Sequence, residues 1–242
     1  MIDPYAASES DGRRALRLLM MLATVIVAAA GLAAVAAPTA RAAEACSDVE
    51  VVFARGTGEP AGLGRVGDAF VDELRDDLSG QTVSAYAVNY PASYDFLKAA
   101  EGANDASARV QATAAACPDT KIVLGGFSQG AAVVDFLTAA PGPVFGFTNV
   151  LPAPVSDHVA AVAVFGNPSN KIGHALSAWS PLYGVKTIDL CNGADPVCSP
   201  GNDRPAHSLY VEAGLTDQAA DFVAARINTP ASGVVDQLTA QG

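Results

Sequence analysis

Histidine is scarce in this chain, and so is positive charge. Only three histidines occur in 242 residues, at positions 158, 174 and 207, so chemistry that needs an imidazole has few places to find one. Lys and Arg number 14 against 25 Asp and Glu, giving a net charge of −11, and no Lys/Arg cluster occurs after residue 41. A surface of that sign repels phosphate, which excludes nucleic acid and anionic membrane surfaces as expected partners. Cysteines number four, without a C-x-x-C pair and without a neighbouring histidine, so a zinc site is not expected. The glycine-bearing loop Arg55-Gly56-Thr57-Gly58-Glu59-Pro60 is neither a G-x-G-x-x-G nor a P-loop with its lysine, which discounts a nucleotide cradle there. No internal repeat and no second core is visible.

Half of the chain is hydrophobic, enough for one α/β domain behind a leader. Arg13, Arg14 and Arg17 precede an uncharged apolar run from Leu18 to Ala37, and residues 40–43 (Ala-Arg-Ala-Ala) offer small side chains for cleavage. Residues 1–43 therefore read as an export signal, with a mature start near Glu44. An uncleaved anchor is the competing reading, since about 20 apolar residues span a bilayer; the Ala and Gly content of the run weakens it. Arg13-Arg14 would suit a twin-arginine signal, but Arg17 interrupts the hydrophobic positions that should follow. Residues 44–228 then form the domain and 229–242 a tail.

All four cysteines follow the leader, and an even number in an exported chain indicates two disulfides. Three pairings are possible. The pairing expected here is Cys46–Cys117, which ties the segment before the first strand to the segment before a strand at 121, and Cys191–Cys198, which closes a short loop. Chain entropy assigns these roughly 4 and 2.5 kcal/mol.

Apolar, partly β-branched runs mark five strands, at 49–54, 83–88, 121–127, 159–165 and 185–190. Val66, Phe70, Leu74 and Leu78 form a helical stripe over 66–78, and helices are also expected at 104–116, 129–137 and 215–227. A Pro- and Gly-rich stretch, 140–154, crosses to the fourth strand. Buried strands alternating with helices predict an α/β fold with a doubly wound parallel sheet, whose sites lie at the C-terminal strand ends.

At the end of the third strand stands Gly126-Phe127-Ser128-Gln129-Gly130, a G-x-S-x-G between a strand and a helix. In a nucleophile elbow the serine occupies that turn with its hydroxyl above the sheet, and the next amide, Gln129, opens a helix where a developing oxyanion is stabilised. A glycine-rich turn with a capping serine is the bland alternative. A serine needs a base, and the base an acid to orient it. His158 precedes a strand and lies at the wrong end of the sheet. His174 follows a strand end and is on the right side. His207 follows the last strand, with acids between it and Ser128, as the order Ser, Asp, His requires. Among those acids, Asp189 lies within a strand and Asp203 in the polar run 199–206. Asp195 sits inside the loop bracketed by Cys191 and Cys198, where a disulfide would fix the carboxylate.

Four stretches together carry a family resemblance: residues 54–59 (Ala-Arg-Gly-Thr-Gly-Glu), residues 125–130 (Gly-Gly-Phe-Ser-Gln-Gly), residues 191–198 (Cys-Asn-Gly-Ala-Asp-Pro-Val-Cys) and residues 207–210 (His-Ser-Leu-Tyr). In order and spacing, from about Cys46 to Ile227, the chain resembles the cutinases, and the actinobacterial cutinase-like serine esterases in particular. The resemblance implies an α/β-hydrolase three-layer sandwich with a five-stranded parallel sheet, an open serine, the triad Ser128, Asp195 and His207, and an oxyanion hole from the Gln129 amide and from Thr57. Many members carry serine where Thr57 stands; threonine keeps the hydroxyl but restricts χ1. The segment before His207, residues 199–206, is polar, so an apolar cleft wall must come from Tyr94, Phe96 and Leu97 or from Leu182 and Tyr183, if these are not core. A half-polar cleft favours short-to-medium acyl esters. The expected protein is a secreted or cell-surface serine esterase, monomeric, acting on a small-molecule or lipid ester. It needs no metal or cofactor and has no membrane span once the leader is removed. A carbohydrate deacetylase of the acetylxylan type and a binding protein with an idle triad are the alternatives.

Overall fold

The computed structural model describes residues 46–229. The expected leader, residues 1–43, and all but the first residue of the expected tail lie outside them.

Five strands form one parallel sheet: β1 (Val49–Ala54), β2 (Val83–Ala87), β3 (Lys121–Phe127), β4 (Val159–Phe165) and β5 (Thr187–Leu190). Their spatial order is β2-β1-β3-β4-β5. Chain order reverses between β1 and β3, so the loops leaving these neighbours diverge and open a crevice at their C-terminal ends. Alternate side chains bury on opposite faces. Val52, Leu124, Val162 and Val164 pack with the helices α2 (Ala99–Ala116) and α3 (Gln129–Ala139). Val51, Phe53, Val123 and Phe165 pack with α1 (Gly64–Asp77) and α5 (Leu215–Asn228). Burial on both faces accounts for runs such as Val-Glu-Val-Val-Phe-Ala, in which every residue is buried. The one charge in that run, Glu50, is 2% exposed and is held by Arg109 and the Thr113 hydroxyl.

Strands β1, β3 and β4 have the bounds expected from sequence. The fifth strand is shorter than expected: residues 184–186 form a 3-10 turn, Val185 is exposed, and Lys186 turns its amine onto the carbonyls of Ser156 and Val159. Helix α2 starts at Ala99, five residues before the expected Asn104. Gly102 obscures that start, because glycine disfavours a helix; here it lets Tyr90 and Val133 approach, and a Cβ would meet both at 3.0 Å. A four-residue helix, α4 (Leu176–Trp179), and several 3-10 turns are too short to carry a period.

Gly62, Gly64 and Gly67 spell a G-x-G-x-x-G at the start of α1, downstream of the loop considered above. Its anion position is filled by the chain itself. Glu59 accepts from the Arg65 amide at 2.9 Å, its carboxylate occupies the space that a Cβ on Gly64 would need, and Gly67 gives way to the Phe53 ring.

Both expected disulfides are present, Cys46–Cys117 and Cys191–Cys198. Among the described residues no helix is long and apolar enough to cross a membrane.

Candidate active site

Ser128 sits at the β3–α3 junction with φ 55° and ψ −115°, a conformation that costs an L-residue on the order of 1–3 kcal/mol. The neighbours make the sharp turn possible. A Cβ on Gly126 would lie 2.2 Å from the Gly130 carbonyl, and one on Gly130 would lie 1.8 Å from the Ala54 carbonyl. The Ser128 amide donates to the Phe165 carbonyl at 2.8 Å, pinning the turn to β4.

The residues singled out from sequence meet at this turn. His207 Nε2 lies 2.9 Å from Ser128 Oγ, and His207 Nδ1 lies 2.7 Å from Asp195 Oδ2. Asp195 is fully buried. Its other oxygen accepts the Val197 amide at 2.8 Å, inside the loop closed by Cys191–Cys198. Asn192 of the same loop donates to the Ala206 carbonyl at 2.8 Å, which ties the acid's loop to the turn carrying His207. With Nδ1 protonated toward the carboxylate, the Nε2 lone pair faces the serine hydroxyl, an arrangement able to remove its proton.

Two contacts here are not foreseen from sequence. Tyr210, wholly buried, donates its hydroxyl to Asp195 Oδ2 at 2.7 Å and accepts the Asn192 amide at 3.2 Å. Burial in that position pushes the phenol's pKa far up, so it stays a donor. Phe127 stacks on the His207 imidazole, with ring centroids 4.9 Å apart. Tyr210 lies in the quoted stretch 207–210 and Phe127 inside G-x-S-x-G, but nothing local to either residue announces its contact.

Thr57 and Gln129 face each other across the crevice between β1 and β3, the Thr57 hydroxyl donating to Gln129 Oε1 at 3.1 Å. The Thr57 hydroxyl, whose direction is open in the sequence, therefore points at the Gln129 side chain. The Thr57 loop is braced from below. Glu59 accepts the Gly56 amide at 2.6 Å, the buried Arg55 donates to the carbonyls of Glu59 and Tyr90, and Gly58 N donates to the Ala92 carbonyl at 2.7 Å.

The other candidates stand apart. His158 precedes β4, at the far end of the sheet. His174 is exposed and packs on Trp179 at 5.1 Å. Asp189 accepts from the Leu176 amide and Asn170, and Asp203 is exposed. Among the described residues no cluster of three His, Cys, Asp or Glu is arranged to hold a metal.

The serine opens into a cleft of about 730 Å³. Tyr94 and Phe96, 83% and 62% exposed, line it and are not core. Leu97 and Leu182 are exposed but do not line the cleft, and Tyr183 is buried. None of the polar residues 199–206 lines the cleft; Val197, His207 and Ser208 do.

The family model for cutinase matches residues 45–227. The chain belongs to the cutinase family. Over 213 residues it is 55% identical to "Phospholipase Culp4" of Mycobacterium tuberculosis, covering 88% of this chain and 93% of that one. Over 222 residues it is 49% identical to "Carboxylesterase Culp1" of the same organism, covering 88% and 97%. Among solved structures it is similar to Trichoderma reesei cutinase in complex with a phosphonate inhibitor (TM-score 0.61, 32% identity, 76% of this chain and 78% of that one). It is also similar to the catalytic core of acetyl xylan esterase from Trichoderma reesei (TM-score 0.64, 26% identity, 75% and 99%). As a member of that family the chain is a carboxylic ester hydrolase with an α/β-hydrolase-type fold.

Proposed function

We propose that this protein is a secreted serine esterase that hydrolyses short-to-medium-chain fatty acid esters through an acyl-enzyme. The observation that carries the proposal is the unbroken line Ser128 Oγ, His207, Asp195, with contacts of 2.9 and 2.7 Å, at the floor of an open cleft. His207 takes the proton of Ser128 as Oγ attacks the ester carbonyl. The oxygen that gains charge is held by the Gln129 amide, at the N-terminus of α3, and by Thr57. Protonated His207 then gives its proton to the departing alcohol, and afterwards activates the water that releases the acid. Asp195 orients the imidazole and balances its charge, and Tyr210 donates a further hydrogen bond to the carboxylate. Export is supported by the signal-like residues 1–43. The names of the mycobacterial relatives, a phospholipase and a carboxylesterase, agree with a lipid or small-molecule ester as substrate.

A deacetylase reading is favoured by the likeness to acetyl xylan esterase. The aromatic lip at Tyr94 and Phe96 supports the acyl-ester reading over it, because an acetyl group gains little from such walls. Hydrolysis of p-nitrophenyl esters from acetate to palmitate, wild type beside Ser128→Ala, tests the proposal. A peak at intermediate chain length, lost by roughly 10⁴-fold or more in Ser128→Ala, is expected. A sharp peak at acetate would favour the deacetylase, and no Ser128-dependent activity on any ester would leave a binding role.

A further inference from the structure

The catalytic cleft does not end at the serine. A second groove, of about 320 Å³, opens beside it, and Ala132 and Phe136 line both. These two half-buried residues lie four apart on α3, the spacing that sets helical side chains in line, between the buried Gln129 at its start and Ala140 just past its end. The groove therefore starts at the nucleophile turn and follows the helix. Its far walls come from Val144 and Phe145, in the Pro- and Gly-rich crossing to β4, and from Trp179 on α4. Phe145 is 72% exposed and meets Phe136 edge-on at 6.5 Å; Trp179 is 43% exposed. The one carboxylate in the lining, Asp135, is already engaged, accepting from Asn167 at 3.0 Å and from Ser169. What remains is an apolar trough with large aromatic walls left open.

We propose that this groove along α3 binds the distal part of the substrate's acyl chain and so sets the medium-chain limit of the enzyme. The proposal rests on the serine esterase reading above. The direction follows from the proton transfer. The leaving alcohol must stand within reach of His207, on the side walled by Val197 and Ser208, none of which lines the groove. The acyl chain takes the other exit, along the helix. The length follows from the helix. From Gln129 to Ala140 a helix rises about 16 Å at roughly 1.5 Å per residue. An extended chain covers roughly 3.6 Å in three bonds, so that distance takes on the order of a dozen carbons.

The chain contains a single tryptophan, Trp179, so its fluorescence reports on the groove's far wall alone. The full-length protein is treated with p-nitrophenyl alkylphosphonates carrying a butyl or an undecyl chain. Each forms a phosphorus–oxygen bond to Ser128 and expels p-nitrophenolate, which is then removed. The undecyl adduct should shift Trp179 emission to the blue, as the indole loses water to the chain, while the butyl adduct leaves it at the position of free enzyme. In Phe145→Ser the ratio of kcat/KM for dodecanoate over butanoate esters should fall roughly tenfold, as a site loses for each missing apolar contact. Equal labelling by both reagents without an undecyl-specific shift would overturn the groove and keep the esterase. So would labelling by the butyl reagent alone, or an unchanged ratio in Phe145→Ser. Labelling by neither reagent would overturn the esterase reading itself, and the groove with it.

Discussion

Tyr210 and His207 share one oxygen of Asp195: the phenol donates to Oδ2 at 2.7 Å, and Nδ1 of the imidazole lies 2.7 Å from the same atom. The carboxylate is fully buried and keeps its second oxygen for the Val197 amide. Three donors fix the acid from three directions, so it cannot rotate away from the histidine.

Tyr210→Phe removes one of these donors while keeping the ring that packs edge-on against Phe127 and Phe165. A hydrogen bond to a charged group contributes about 1.5–3 kcal/mol. We expect kcat to fall roughly tenfold or more with KM little changed, since in the proposed mechanism the lost bond steadies the imidazolium and touches no substrate. A rise in KM at constant kcat would contradict this role.

The two disulfides should separate stability from activity. Cys46–Cys117 links residues 71 apart, Cys191–Cys198 residues only 7 apart. The longer loop contributes roughly 4 kcal/mol and the shorter roughly 2.5 by chain entropy. Serine replacement of the first pair should therefore lower the urea midpoint more. Replacement of the second should lower kcat more, because it frees the loop that holds Asp195. Midpoints and kcat on a butanoate ester, measured on both double variants, check the crossover.

The candidate site residues that the structure brings together were legible where the signal is local. Ser128 stands between a β-branched strand and an alanine-rich helix, and Asp195 between two cysteines, so the chain's own punctuation marks both. His207 followed from the order of residues and from how few histidines there are. Tyr210 was not legible in its role. It reaches Asp195 from 15 residues away through a fold that puts both beside the last strand, and an order of residues carries no distances. Val185 shows the converse error: an apolar residue beside a strand reads as strand, but the Gly184 turn leaves it exposed. The cleft wall was legible in part: Tyr94 and Phe96 line it, while Leu97 and Leu182 do not. Residues 199–206 adjoin His207 in sequence, but the loop closed at Cys198 turns Val197 inward instead.

Glu59→Gln should weaken the Thr57 loop. The carboxylate accepts two backbone amides, Gly56 at 2.6 Å and Arg65 at 2.9 Å, the latter at the N-terminus of α1 where negative charge is favoured. Glutamine has one oxygen and turns an NH₂ toward the other amide. We expect a loss of about 2 kcal/mol in stability and a larger loss in kcat than in substrate binding, because Thr57 is assigned to the oxyanion. Urea denaturation beside steady-state kinetics checks both; a stable variant of normal kcat would remove Glu59 from this role.

Asp135 gives a pH dependence whose sign is fixed by burial. Desolvation lifts its pKa from 3.8 to about 7; the bonds from Ser169 and Asn167 oppose the rise, and the charge on Asp189 adds to it. The folded protein thus keeps a proton that the unfolded chain releases near pH 4. Stability from this group is full below that pH, declines as pH rises, and is gone above about 7. A rise of about three pKa steps at 1.36 kcal/mol each makes the decline roughly 4 kcal/mol. Asp189, also raised by burial, adds a slope of the same sign. Asn at 135 can still accept from Asn167 and can donate to the Ser169 hydroxyl, so Asp135→Asn keeps the contacts and loses only the titration. The variant should come closest to wild type below about pH 4 and exceed it increasingly toward pH 8. Urea midpoints across that range check this. A variant as pH-sensitive as wild type would show that Asp135 does not hold a proton in the folded state at all.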